Sequence, residues 1–136
     1  MSRWLDVTAL QPPYDAGVLD GSGRAMWTFN VVVTKTPSAT FQQELVSVLV
    51  GASVAVLGST LFASSKSVLP SGPGPYLSIN ATGGMPGVKT QNEVAPAYER
   101  PSAQVTARAV TPGAAETLAR AAYAALVAVR NQEVAA

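Results

Sequence analysis

Residues 102–131 read SAQVTARAVTPGAAETLARAAYAALVAVRN and contain the clearest structural pattern in the chain. Residues 102–110 alternate between apolar and polar side chains, and this period of two predicts a half-buried strand. Thr111-Pro112-Gly113 suits a helix start, because a threonine hydroxyl can cap the helix and proline is tolerated at its first position. An alanine-rich helix over about 112–131 is therefore predicted next. Its buried stripe is predicted to be Ala115, Leu118, Ala119, Ala122, Leu126 and Val129.

Strand patterns also occur further towards the N-terminus. Ala25–Thr34 is rich in aromatic and β-branched residues, and Tyr76–Ala81 alternates between apolar and polar, so both are predicted strands. Val54–Leu57 and Thr60–Ala63 are short apolar runs that form either one bent strand or two strands with a turn between them. The face of the first strand that is predicted to enter the core carries Trp27, Phe29, Val31 and Val33.

A second helix is predicted over about 38–50. Thr36-Pro37-Ser38 supplies a start, with either hydroxyl as the cap, and Gly51 is expected to end the helix. The spacing indicates an amphipathic helix with Gln42, Gln43 and Glu44 off its apolar stripe. That stripe consists of Phe41, Leu45, Val48 and Leu49.

Two segments lack periodicity. Residues 1–24 are predicted to be an irregular N-terminal arm, with a turn at Asp20-Gly21-Ser22-Gly23. Residues 82–101 are predicted to be a long loop rich in glycine and proline. The whole pattern predicts an α+β fold, in which a small mixed or antiparallel sheet packs against two main helices. Residues 25–136 then form a single domain that follows the arm.

The composition excludes several classes of function. The 136 residues have a net charge of +1 and include no cysteine and no histidine. The commonest general base and the thiolate metal ligands are therefore missing, so we expect no enzyme activity, no cofactor and no metal site. Nine basic residues against eight acidic ones also disfavour nucleic-acid binding, whether general or sequence-specific. Only 12% of residues are charged, which suggests a surface that neighbouring copies bury.

Leu45–Ser65 leaves a membrane alternative open, because it has no charge and is long enough to span a bilayer. Two glycines and several hydroxyl residues interrupt it, and its valine-rich part favours a strand. We therefore prefer a helix, a turn and a strand here, with no membrane partner. The alternative is a small membrane protein of the lysis type with a span at 45–65.

One segment stands out as a candidate interface. Tyr98-Glu99-Arg100-Pro101 places an aromatic, an acidic and a basic side chain next to each other before a proline. It is either a solvated strand start with a weak local ion pair, or a patch that faces a partner, since tyrosine and arginine are enriched at binding hot spots. The full set of candidate interface residues is Gly83, Gly84, Met85, Tyr98, Glu99, Arg100 and Arg108.

Three runs together resemble a known family. The runs are Thr40-Phe41-Gln42-Gln43-Glu44-Leu45, then Leu77-Ser78-Ile79-Asn80-Ala81-Thr82-Gly83-Gly84, and then Tyr98-Glu99-Arg100-Pro101-Ser102-Ala103-Gln104-Val105-Thr106-Ala107-Arg108-Ala109, which an alanine-rich helix follows. They are similar to the tail terminator, or tail completion, and minor capsid proteins of long-tailed bacteriophages. The resemblance covers about residues 38–130, and the segment 1–35 departs from the compact start of that family.

The resemblance implies a structural virion protein that catalyses no reaction. It implies a ring, usually hexameric, on the head-proximal end of the tail tube, where the ring stops polymerisation and joins the tail to the head. The implied partners are further copies of the chain, the tail tube protein and a connector or stopper protein. The implied location is the tail or neck of a virion that is assembled in the host cytoplasm. Another head–tail joining or neck subunit is the alternative.

Overall fold

The computed structural model describes residues 2–15, 25–38, 40–56, 60–62, 74–88 and 98–135. These ranges contain two helices and nine strands. In chain order they are β1 (Ser2–Ala9), β2 (Tyr14–Asp15), β3 (Ala25–Lys35), α1 (Phe41–Gly51), β4 (Leu61–Phe62), β5 (Tyr76–Ala81), β6 (Met85–Val88), β7 (Tyr98–Arg100), β8 (Ser102–Ala109), α2 (Pro112–Val127) and β9 (Gln132–Val134).

The strands form a mixed sheet whose main path runs β4-β5-β8-β3-β1-β9. The pairing of β4 with β5 is parallel, and the other pairs along this path are antiparallel. Side chains from both helices join the inward side chains of the sheet in one apolar cluster, so the helices cover the same face. A mixed sheet with two helices agrees with the predicted α+β class.

The two central strands follow the predicted alternation. Phe29, Val31 and Val33 of β3 are fully buried, whereas Trp27 at the other end of this face is half-buried. On β8, alanines and one valine alternate with polar residues and point to the same side. Small side chains on both β8 and α2 allow the helix to pack closely on the sheet, and the ring of Tyr123 meets that of Phe29 edge-on.

Helix α1 confirms the predicted element but corrects both of its ends. It begins at Phe41 after Thr40, three residues later than the predicted start, and the Thr40 hydroxyl caps no backbone N–H. At its C-terminal end Ser53 adopts the left-handed conformation with a φ of 59°, a role predicted for Gly51. The N–H groups of Ser53 and Val54 donate to carbonyls in the last turn of the helix, which satisfies groups that a helix end leaves unpaired.

Helix α2 starts as predicted. The N–H of Ala114 donates to the Thr111 hydroxyl at 3.2 Å, and Pro112 occupies the first helical position. The helix ends at Val127, earlier than the predicted 131, and Asn131 with a φ of 48° then turns the chain into the short strand β9. The predicted buried stripe is confirmed at Ala115, Ala119, Ala122, Leu126 and Val129, whereas Leu118 is half-buried.

Residues 2–9 correct the predicted irregular arm, because they form β1, which pairs with both β3 and β9. Trp4 on this strand is fully buried. A register shift between Trp4 and Asp6 breaks the period of two, so the sequence shows no alternation here. Residues 16–24, which include the predicted turn, lie outside the described part of the chain.

The predicted loop over 82–101 is corrected at both ends. β6 pairs with β7, and the two strands extend the hairpin that β5 forms with β8. We call β6 and β7 together the ribbon. Residues 89–97 lie outside the described part of the chain.

The predicted strand over Val54–Leu57 is wrong as far as the structure describes it, since Val54, Ala55 and Val56 belong to no strand. Part of Thr60–Ala63 does form a strand, the short β4. The apolar run 45–65 thus contains the rest of α1, a turn and β4. No helix within the described ranges is long and apolar enough to cross a membrane.

The α1 core contact gives a first prediction. Leu45 is fully buried, so Leu45→Ala should lower the free energy of unfolding by about 2–5 kcal/mol through lost burial and the cavity left behind. Val50→Ala is the matched control, because Val50 is 42% exposed in the same helix and should cost well under 1 kcal/mol. Urea unfolding of both variants measures the difference. Equal costs would contradict the observed orientation of α1.

Candidate functional site

A buried lysine lies at the end of β3, next to the ribbon. Lys35 has no exposed side-chain surface. Its Nζ lies 2.6 Å from Oε1 of Glu99, 2.8 Å from the Ser38 hydroxyl and 3.0 Å from the carbonyl oxygen of Thr36. These three acceptors match the three N–H donors of an ammonium group. The charge is therefore held entirely by protein atoms.

Glu44, on α1, is the second buried charge of this cluster. Its carboxylate oxygens accept four hydrogen bonds, which matches the capacity of an ionised carboxylate. The donors are the Ser2 hydroxyl and Trp4 Nε1 at 3.0 Å on Oε1, and the Ser38 hydroxyl at 2.6 Å and the Thr40 hydroxyl at 2.9 Å on Oε2. Through these bonds the carboxylate holds β1 against the first turn of α1.

The cluster of Lys35, Glu44 and Glu99 contains one more negative than positive charge. Lys35 Nζ lies 3.7 Å from Glu44 Oε2, and the Glu44 side chain is 1% exposed. The Glu99 side chain is 32% exposed, so water solvates the carboxylate that is in excess. Burying a charge is costly unless it is paired and hydrogen-bonded, and both fully buried groups meet that condition.

The sequence patterns single out neither Lys35 nor Glu44. They place Glu44 off the apolar stripe of its helix, whereas the structure buries it. A signal for Lys35 exists, because it continues the inward period of two from Val31 and Val33. A charged residue at an inward position predicts a buried partner of opposite charge. The sequence does not say which carboxylate supplies it.

Six of the seven predicted interface residues come together around the ribbon. Gly83 and Gly84 lead into β6, Met85 lies opposite Arg100, and Tyr98 and Glu99 complete β7. The Met85 side chain lies outside the described part of the chain. The seventh residue, Arg108, is separate from them.

Arg108 lies near the far end of β8, about 20 Å from Ser102 at the rise of a strand. There it is paired in register with Met26 on one side and Tyr76 on the other. Its guanidinium carbon lies 5.5 Å from the centre of the Tyr76 ring, which is a cation–π distance. The structure therefore does not bring Arg108 into the predicted interface patch.

The side chains of β7 point in different directions. Glu99 turns inward to Lys35, and its Oε1 also accepts the Ser38 N–H at 3.1 Å. Tyr98 is 36% exposed, and Arg100 is half-buried. Glu99 thus bonds to a buried cation, in place of the weak solvated ion pair considered for this segment. Tyr98 is the exposed aromatic group that the ribbon offers.

Gly84 is required by the close approach of the two strands at the base of the ribbon. Its φ is 90°, and a Cβ there would lie 2.2 Å from the Arg100 carbonyl oxygen and 2.6 Å from the Pro101 Cα. Gly83 has a similar φ of 89°, but nothing lies within 4 Å of its position for a Cβ. Of these two glycines, Gly84 is fixed by packing as well as by backbone conformation, and Gly83 by backbone conformation alone.

The sheet face opposite the helices carries two rows of uncharged polar side chains across β3, β8 and β5. One row consists of the amides of Asn30, Gln104 and Asn80, and the next consists of the hydroxyls of Thr28, Thr106 and Ser78. The Thr28 and Thr106 hydroxyl oxygens lie 3.2 Å apart. The alternation predicts these polar positions, but only the register brings them into rows.

Chemically, the side chains of this site can hold elements of the fold together and can contact a partner. In the part of the chain that the structure describes, no group of three or more His, Cys, Asp or Glu residues is placed to hold a metal ion. A scan against protein-family models, a search of curated proteins and a search of solved structures each find no match for this chain.

The buried cation gives a second prediction. Lys35→Met keeps most of the side-chain length but leaves the Glu44 carboxylate without its cation, so unfolding should require about 3–5 kcal/mol less. Arg120→Met is the control, since Arg120 pairs with Glu116 on the surface of α2 and should cost about 1 kcal/mol or less. Denaturant midpoints at neutral pH measure both costs. A cost below about 1 kcal/mol for Lys35→Met would show that the cluster does not stabilise the fold.

Proposed function

We propose that this chain is a structural subunit of a bacteriophage virion and acts as a tail terminator. In this role it caps the head-proximal end of the tail tube as a ring, stops polymerisation of the tube and joins the tail to the head connector. The observation that carries the proposal is the ribbon, which presents Tyr98 at its surface within the segment on which the family resemblance rests.

The structural setting of the three resembling runs supports this proposal. The first run enters α1, the second occupies β5 and the turn after it, and the third occupies β7 and β8. β5 and β8 are direct neighbours in the sheet, and α1 and α2 pack over it. The three runs, although far apart in sequence, thus belong to adjacent elements of the fold.

The low charge of the surface also favours assembly. Charged residues are depleted in the cores of protein interfaces, and only 12% of this chain is charged. Exposed apolar side chains occur at several separate positions in the described ranges. The largest exposures are at Val56, Val110 and Leu10. Contacts between copies would remove such groups from water.

The partners in this proposal are further copies of the chain, the tail tube protein and a connector or stopper protein. Identical subunits in a ring use two different surfaces in a head-to-tail contact that closes on itself. About 800 Å² per subunit at each contact is typical of a stable interface. A hexamer follows from the family resemblance, and the virion neck, after assembly in the host cytoplasm, is the expected location.

The ribbon gives a third prediction, which concerns assembly. Tyr98→Ser should weaken ring formation, so that rings require a protein concentration at least tenfold higher. The reason is that exposed tyrosines at interfaces often contribute about 2 kcal/mol or more. Tyr14→Ser is the matched control, since Tyr14 is a 44% exposed tyrosine on another short strand. Native mass spectrometry and electron microscopy of the purified protein measure ring formation.

Three outcomes would contradict the proposal or its choice of contact. Open filaments of this protein alone are incompatible with a terminator, whose growth stops after one layer. Rings found elsewhere than between tube and connector in virion images would instead support another head–tail joining or neck subunit. Loss of rings in both tyrosine variants would mean that the ribbon is not the specific contact.

A further inference from the structure

The ribbon is joined to the sheet at a place where both of its strands are irregular. On one strand Gly83 and Gly84 separate β5 from β6, and on the other strand Pro101 separates β7 from β8. The base is fixed on the sheet side of this joint. There the Val33 N–H donates to the Pro101 carbonyl at 2.9 Å, and the Thr82 N–H donates to the Ser102 carbonyl at 2.8 Å. Irregular residues of this kind absorb backbone rotation, as hinge residues do.

Beyond this joint, Glu99 connects the ribbon to the core. It is the partner of Lys35 in the backbone register between β3 and β7, and its Oε1 accepts from both Lys35 Nζ and the Ser38 N–H. A bond between an ammonium and a carboxylate at 2.6 Å belongs to the strong class of charge-assisted hydrogen bonds. The side chain of one ribbon residue therefore reaches both the end of β3 and the connection that follows it.

Release of Glu99 would not leave a buried charge alone. Lys35 would keep the Glu44 carboxylate at 3.7 Å, the Ser38 hydroxyl and the Thr36 carbonyl. Glu99 is the carboxylate in excess of the balanced pair, and its side chain already reaches solvent. Lys35 thus keeps a carboxylate partner without the ribbon, although one of its three N–H donors loses its acceptor, so detachment leaves the buried charge paired.

From these contacts we propose that the ribbon is a hinged arm with a docked and a detached position. Glu99 is the tether that holds the docked position, and the joint at Gly83, Gly84 and Pro101 is the hinge. This device is independent of the proposed function, because it concerns one chain alone. Its two-state element is the pairing of β7 with the end of β3, which either forms or is lost as a unit.

The experiment is amide hydrogen exchange on the isolated protein, followed over β6, β7 and β8. Glu99→Ala removes the tether, and exchange in β6 and β7 should become faster by about tenfold or more, the equivalent of a hydrogen bond to a charged group. Exchange in the ribbon should depend only weakly on low concentrations of urea, because detachment exposes little surface, whereas exchange in β8 should follow the urea dependence of global unfolding. Glu99→Gln retains an acceptor without the charge and should fall between the wild type and Glu99→Ala.

The control for charge removal is Glu116→Ala, because Glu116 pairs with Arg120 on the exposed side of α2. A glycine pair tests the hinge separately. Gly84→Ala places a methyl group against the Arg100 carbonyl and should also speed exchange in β6 and β7. Gly83→Ala carries a similar backbone cost but meets no neighbour, so it should have a much smaller effect there.

The outcomes separate the proposal from its rivals. Faster exchange in the ribbon with this weak urea dependence supports the tether. A urea dependence in the ribbon as steep as that in β8 would overturn it, since the ribbon would then open only when the whole fold unfolds. Unchanged exchange in the ribbon of Glu99→Ala would overturn it as well, because other contacts would then hold β7 in place. Equal effects of the two glycine variants would place the hinge elsewhere.

Discussion

The buried ammonium group of Lys35 is the constraint around which the other elements are arranged. Once β3 carries this charge into the core, carboxylates and hydroxyls must surround it, and they come from distant parts of the chain. Glu44 fixes α1, and through Trp4 it also fixes β1, while Glu99 brings in the ribbon. A single charge thus determines how four elements meet at one corner of the molecule.

Local patterns were sufficient for the middle of the fold. The alternation in β8 and the apolar run of β3 follow from a period of two, and α2 follows from its threonine cap, its proline and its alanines. In each of these elements the physical cause lies within a few residues of its effect. The sheet order is different, because no local pattern says that β3 lies between β8 and β1.

The elements and site residues that were missed depend on distant partners. β1 contains a bulge that hides its alternation, and β9 is only three residues long. β1 therefore becomes a strand only by pairing with β3 and β9, and β9 only by pairing with β1. At the site, the sequence identified Tyr98, Glu99 and Gly84 as a group, but it could not say that Glu99 points inward. That orientation is decided by Lys35, which lies 64 positions earlier in the chain.

The central position of the β3–β8 pair determines when this molecule can fold. Thr28 and the Val105 carbonyl that it contacts are 77 positions apart, so the pair at the centre of the sheet closes a very long stretch of chain. Topologies dominated by such distant pairings typically fold in milliseconds to seconds, because chain entropy is lost before the contacts repay it. During synthesis, β3 is therefore made before β8 exists to pair with it, and Phe29, Val31 and Val33 are not yet covered by α2. A newly made chain exposes these apolar side chains during this interval and is prone to aggregation then.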